Sequence, residues 1–302
     1  MRRNLNMSPG AVGLLVALAA GCGGESAGSS DRPTIVVTTN ILGQVVGEVV
    51  GDLADVEVVM PLGADPHEFA PSARQAEAMA SADLLVVNGA GFEEGMGDVI
   101  DRAAEADVPT FAAADHVALL EESPGAIDPH LWMDPTQMVA ATEALGARLA
   151  ELDGIDSGAL ATQVEAYADS LRVLDAEIES TLAGIPAERR VLVTNHEVLG
   201  YFADRYDFEV LGAVVPSLTT GAQAAAADLE QLAALIEGAG VRTIFAETTQ
   251  SAELAAALAA EVGDDVQVVE LFTESLDEAG SGAETYVDLM RTNALLVATG
   301  LT

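Results

Sequence analysis

The sequence predicts an α/β fold of two open parallel-sheet lobes joined by one long helix, and three observations carry that expectation. Short β-branched apolar runs alternate with helical stretches in the first half of the chain. A single uninterrupted helical pattern then occupies residues 159–183. The same strand-and-helix alternation resumes behind it. Strands that are apolar on both faces and separated by helices belong in a parallel sheet covered on both sides.

Thr34 to Thr38 has strand length and composition, and the apolar rhythm from Gln44 to Val50 is closer to helical. Val56 to Val59 and Leu84 to Val87 are further strands, with a helix expected over residues 73–80 between them. This first lobe is assigned residues 34–158. From Ala159 to Leu182 the positions Leu160, Val164, Tyr167, Leu171, Leu174, Ile178 and Leu182 recur three or four apart, and Gly184 and Pro186 then end the pattern. A second lobe, residues 184–302, holds strands at Val191–Thr194, Glu209–Leu211, Thr243–Ala246 and Val266–Leu271. Its helices are expected near 228–237, 253–261 and 284–297.

The first 22 residues are of a different kind. Arg2 and Arg3 precede an apolar run from Ala11 to Ala20, too short for the ~20 residues of a spanning helix, and the segment reads as a signal peptide. Ala19-Ala20-Gly21-Cys22 resembles a lipoprotein processing site, in which Cys22 becomes the lipid-bearing first residue. The competing reading is a plain secretory signal whose cysteine is lost on cleavage. Residues 23–33 form a flexible Gly- and Ser-rich tether. The expected location is outside the cytoplasm, anchored by lipid to the bacterial membrane. With one cysteine in the chain, no internal disulfide framework is available.

The 302 residues carry a formal net charge of −37, and all 12 basic residues are arginine. Such a surface repels phosphates and argues against a nucleic-acid partner. It also concentrates cations, although an acidic composition equally reflects genome bias or a saline habitat.

The residues with the clearest chemistry are the four histidines. His67 and His130 stand in the same tripeptide, Asp65-Pro66-His67 and Asp128-Pro129-His130. Proline stiffens the approach, and the aspartate is placed to accept the imidazole's second N–H, as carboxylates do behind metal ligands. His196 follows the strand Val191–Thr194, at the carboxyl end where ligands sit in open α/β sheets. Three neutral imidazoles leave room for one oxygen donor in a tetrahedral Zn²⁺ shell. His116, near Glu121 and Glu122, reads as a solvated loop residue. Glu197 and Glu247 are read either as carboxylates behind the ligands or as solvent-facing groups.

The segments Gly63–Ser72, Asp128–Pro135 and Thr194–Phe202 resemble the three histidine motifs of the zinc and manganese solute-binding lipoproteins of bacterial ABC importers, with further likeness at Ile244–Glu247 and Tyr286–Asn293. The resemblance spans nearly the whole mature chain. It implies two α/β lobes on one rigid helix with the metal in the interlobe cleft, ligated by His67 and His130 from the first lobe and His196 from the second. The family's fourth ligand is usually an aspartate in a segment that here reads Leu271-Phe272-Thr273-Glu274. Glu274 therefore takes that role through one oxygen, through both, or through a water. The third imidazole favours Zn²⁺ over Mn²⁺. The implied function is capture of a divalent transition metal by a monomer and its delivery to an ABC permease, with a manganese-type importer protein as the alternative. A secreted zinc hydrolase is the reading from a different class, but no His-Glu-x-x-His pair and no Gly-x-Ser-x-Gly elbow is present, and the chain is not expected to be an enzyme. Metal binding is expected to weaken below about pH 6, near the ordinary imidazole pKa.

Overall fold

The computed structural model describes residues 32–302 apart from Pro124 and Gln223. The signal peptide, Cys22 and most of the tether lie outside the described residues. In chain order the strands and helices are β1 Thr34–Val37, α1 Asn40–Val50, β2 Asp55–Val58, α2 Ala73–Ala80, β3 Leu84–Val87, α3 Gly97–Glu105, β4 Thr110–Ala112, β5 Glu121–Ser123, β6 Ala126–Ile127, α4 Pro135–Leu149 and α5 Ser157–Leu182. They continue as β7 Val191–Thr194, α6 Gly200–Tyr206, β8 Glu209–Ala213, α7 Ala226–Ala239, β9 Thr243–Glu247, α8 Glu253–Val262, β10 Gln267–Leu271 and α9 Tyr286–Leu301.

Two four-stranded sheets form, in the orders β2-β1-β3-β4 and β10-β9-β7-β8. Every pairing within them is parallel, as the doubly apolar strands require. β5 and β6 add a small antiparallel hairpin. In the first sheet the strand order reverses between β1 and β3, and in the second between β7 and β9. Ligands in such sheets sit outside the carboxyl ends of the strands at these reversals. The chain segments leaving β1, β3, β7 and β9 are therefore the ones to follow to the site.

Side-chain alternation along the strands decides what packs where. Ile35 and Val37 of β1 point to one face and Val36 to the other, and Leu192 and Phe245 face opposite to Val193 and Ile244 in the second sheet. Met79 of α2 and Ala103 of α3 cover the outer face of the first sheet. Leu232 and Ile236 of α7 and Leu258 of α8 cover the outer face of the second. Between the inner faces lies one continuous apolar core built from α1, α4, α5, α6 and α9. The two lobes thus do not have separate inner cores.

Helix α5 runs through that shared core. Its 26 residues span ~39 Å at ~1.5 Å per residue. Asp156 caps its start by accepting from the backbone N–H groups of Gly158 and Ala159, and the buried stripe Leu160, Tyr167, Leu171, Leu174, Ile178 and Leu182 follows the spacing read from the sequence. Other caps act nearer the cleft. Thr39 caps α1 directly after β1, and Asp134 caps α4 with Pro135 in the first turn. Among the described residues no helix is long and apolar enough to cross a membrane.

Candidate metal centre

Each predicted site residue follows a β-strand or a short turn at the cleft. His67 lies on the loop after β2. Asp65 Oδ1 accepts the backbone N–H of His67 at 2.9 Å, and the Asp65 carbonyl accepts from the Phe69 N–H at 2.9 Å, closing a tight turn around Pro66. The His67 carbonyl is fixed by the Gly95 N–H at 3.1 Å. Gly95 has to be glycine there, since a Cβ would stand 2.4 Å from the Phe69 carbonyl oxygen.

His130 precedes the 3-10 turn Leu131–Met133 that leads into α4. Asp128 Oδ1 accepts both its backbone N–H at 2.9 Å and its ring Nδ1–H at 2.7 Å. The Asn88 side-chain amide, just past β3, donates to the Pro129 carbonyl at 2.9 Å and anchors the tripeptide to the first sheet. Asn88 is itself set by Glu93, a buried carboxylate that accepts from the Asn88 N–H at 2.6 Å, the Thr38 hydroxyl at 2.7 Å and the Gly89 N–H at 3.2 Å. Burial nevertheless pushes the Glu93 carboxyl above its ordinary value, against those hydrogen bonds. Phe92, its neighbour, lies edge-on to His67 and His130 with ring centroids 4.9 and 5.8 Å away. Nothing in the sequence marks Phe92 or Glu93, because their roles exist only once β1, β3 and the two histidine loops have met.

His196 leaves β7 at its carboxyl end. Glu247, the last residue of β9, accepts the ring Nδ1–H at 2.5 Å and the backbone N–H at 3.2 Å. Glu247 therefore stands behind a histidine, one of the two readings open from the sequence. Glu274 follows β10. The residues on either side of it are held from the first lobe: the Trp132 indole donates to the Thr273 carbonyl at 2.6 Å, and the Leu276 N–H donates to Asn40 Oδ1 at 2.8 Å.

The result is a buried, four-donor cluster. His67, His130, His196 and Glu274 are buried, each offering one donor atom, and these atoms all lie within 4.8 Å of one another. Glu274 Oε1 is 3.0 Å from His67 Nε2, 3.3 Å from His196 Nε2 and 3.7 Å from His130 Nε2, and the last two nitrogens are 3.4 Å apart. A tetrahedron with arms of about 2.05 Å, the usual Zn–N and Zn–O range, has edges of about 3.3 Å. With Nδ1–H donated to a carboxylate, a neutral His130 or His196 turns its Nε2 lone pair to the centre. Although His67 Nε2 and Glu274 Oε1 are close, they do not meet in hydrogen-bond geometry, and among the described residues neither has another partner. Buried polar atoms are rarely left so. Both belong to the four-donor group, where a cation would satisfy them.

The electrostatics agree with that geometry. Burial pushes His196 down, but the Glu247 and Glu274 carboxylates outweigh it and carry the imidazole up to about 10. His130 is likewise raised, burial being outweighed by Asp128 and Glu274. Burial would raise Glu274, yet the imidazoles of His130, His196 and His67 around it hold it well below the ordinary carboxylate range.

One sequence-based expectation needs revision. Asp65 does not accept the His67 ring N–H as Asp128 does for His130; its second oxygen instead accepts from Thr220 and Gln250 of the other lobe. Among the described residues His67 Nδ1 has no hydrogen-bond partner. His116 lies away from the cluster, exposed and stacked on Phe111 at a centroid distance of 4.7 Å, in keeping with the loop reading. Glu197 is outside the four-donor group.

Residues 35–300 match the family described as ZnuA, zinc-uptake complex component A periplasmic. Among curated proteins the chain is 29% identical over 291 residues to the manganese-binding lipoprotein MntA of Halalkalibacterium halodurans, covering 95% of this chain and 96% of that protein. It is 30% identical over 292 residues to the zinc-binding protein TroA of Treponema pallidum, covering 94% and 93%. The solved structure of the periplasmic zinc-binding protein TroA from Treponema pallidum superposes with a TM-score of 0.84 at 28% identity, over 90% of this chain and 99% of that one. The match along almost its whole length, on a fold of two parallel sheets, makes this chain a member of the family of periplasmic zinc-uptake component A proteins.

Proposed function

We propose that this protein captures a divalent transition metal outside the cytoplasm, Zn²⁺ in the first place, through His67, His130, His196 and Glu274, and hands it to an ABC permease. The observation that carries the reading is the gathering of three imidazole nitrogens and one carboxylate oxygen within 4.8 Å of one another in a buried site, with His67 Nε2 and Glu274 Oε1 lacking a hydrogen-bond partner among the described residues. Three nitrogens and one oxygen suit Zn²⁺ better than the harder Mn²⁺, which prefers oxygen-rich, higher coordination. A manganese-type reading has its own support in the similarity to a protein named as manganese-binding.

A closed shell also argues against hydrolysis. Catalytic zinc keeps one position for water, and here a fourth protein donor faces that position. Delivery to a permease and membrane anchorage through Cys22 rest on the family and on lipoprotein relatives; a lipid-bearing Cys22 would keep the captured ion near the membrane.

The test is zinc titration of the mature protein by calorimetry, with single alanine variants of the four donors. Losing a ligand should cost more than the roughly 10–100-fold lost with an outer-shell partner, so each histidine variant is expected to weaken binding at least about 100-fold. Unchanged affinity in any of them removes that residue from the site.

A further inference from the structure

The two Asp-Pro-His tripeptides are one chemical pattern in two settings, and the difference between them is informative. In both, Oδ1 of the aspartate accepts the histidine's backbone N–H at 2.9 Å. Asp128 adds the ring Nδ1–H of His130 and stops there, its other oxygen lacking a hydrogen-bond partner. Asp65 leaves the His67 ring alone and extends its second oxygen across the cleft. The Thr220 hydroxyl, between β8 and α7, donates to it at 2.6 Å, and the Gln250 amide, between β9 and α8, donates to the same atom. A second tie joins the same loop to the other side: the Gly63 N–H donates to Ser275 Oγ at 2.8 Å.

This matters because His67 is the least supported of the three imidazoles. His130 and His196 each have a carboxylate on Nδ1. His67 has none, so its ring is placed by its loop and by the edge-on Phe92. Whatever holds the loop holds the ligand. Asp65, two residues from His67 and hydrogen-bonded to its backbone, is the point where the opposite lobe takes hold.

We propose that Thr220 and Gln250 are positioning residues that set how long a captured ion stays: by clasping Asp65 from across the cleft they keep His67 seated, and the ion leaves when the clasp opens. This rests on metal capture by the four-donor centre. Both side chains bond to Asp65 and neither belongs to the four donors, so their effect falls on release and not on capture. Because they span the cleft, these two bonds to a charged acceptor would form only once the cleft has closed on an ion, and so would lengthen the closed state without slowing entry.

The experiment compares the mature parent with the Thr220→Val/Gln250→Ala double variant, with Gln250→Ala alone and with Thr220→Ser, which keeps the hydroxyl. Zinc release is followed by stopped-flow mixing with an excess of fluorescent chelator, and uptake by mixing with zinc. Hydrogen exchange over residues 62–69 is measured separately on the metal-free proteins. Losing hydrogen bonds to a charged group should speed release roughly tenfold or more in the double variant, with Gln250→Ala intermediate, Thr220→Ser like the parent, and uptake rates unchanged. Exchange over 62–69 should quicken in the same order. Release within about twofold of the parent, with unchanged exchange, would overturn the clasp. A purely structural role would lower thermal stability without separating release from uptake, and that outcome also counts against it. Should the parent hold no zinc, the metal reading fails, while exchange still decides whether Thr220 and Gln250 secure the His67 loop.

Discussion

Zinc binding at pH 8 should expel at least about one proton, and this count separates a carboxylate-held imidazole from an ordinary one. With His196 carried up to about 10 by Glu247 and Glu274, the ring is about 99% protonated at pH 8 in the metal-free protein, whereas an imidazole at about 6.5 would be about 3% protonated. Because metal ligates only the neutral ring, the proton must leave. The two units between pH 8 and about 10 correspond to about 2.7 kcal/mol, roughly a hundredfold in apparent affinity. Glu274 contributes no proton, since its carboxyl is already ionised; His130 is raised as well, burial being outweighed by Asp128 and Glu274. The assay is calorimetric titration of the mature protein in buffers of different ionisation enthalpy, where the slope of observed heat against that enthalpy gives protons released. Glu247→Gln removes the charge behind His196 and should bring the count down. A slope near zero in the parent at pH 8 would refute the reasoning. The window in which pH governs binding thus extends well above the pH 6 suggested by unperturbed histidine.

Further outcomes follow from the same contacts. Stability of the metal-free protein should fall as pH rises from about 6.5 to 10, because His196 has a folded-state pKa above its ordinary value of 6.5 and its ion pairs contribute fully only below that value. Glu274, held below its ordinary value of 4.5, contributes in the opposite sense and is lost on acidification; thermal melting across pH 3–10, with and without zinc, checks both signs. Gly200→Ala would favour the helix at an ordinary site by up to ~1 kcal/mol, but here its Cβ would stand 2.3 Å from Asp128 Oδ2, so it should displace the carboxylate behind His130 and weaken zinc binding about 10–100-fold, measured by the same titration. Glu93→Ala leaves the Thr38 hydroxyl and two backbone N–H groups without their acceptor, and denaturant unfolding should show a loss of about 3 kcal/mol or more.

Strands β1, β3 and β7 were legible because short β-branched runs buried on both faces leave little else for the chain to be, and α5 was legible because 26 residues at helical spacing contain no proline. Helix α4 escaped notice. Its start is the Asp134-Pro135 cap, which overlaps the second histidine motif, and its buried face interrupts Met138, Leu145 and Leu149 with Ala141, Thr142 and Gly146. Helix α3 and β4 are short, nine and three residues, and α3 fully buries only Ala103. At the site, His67 and His130 announced themselves by repetition and His196 by its place at a strand end. Glu274 was visible only through family likeness, since no local pattern distinguishes it from the other acidic residues. The divergence of Asp65 from Asp128 could not be read at all, because Thr220 and Gln250 lie 155 and 185 residues away in sequence from Asp65.

The shared inner core has a consequence for inheritance and engineering. Apolar side chains from α1, α4, α5, α6 and α9 interlock in one continuous body from the first sheet to the second, so neither half owns the surface it would need to fold alone. A cut before Asp156 or after Leu182 leaves one fragment with the long helix and the other with an uncovered apolar face. The halves are therefore not interchangeable parts: a chimera joining the first lobe of one relative to the second of another must re-fit the whole seam along α5, and the ligands of the ion descend together with the packing that separates them.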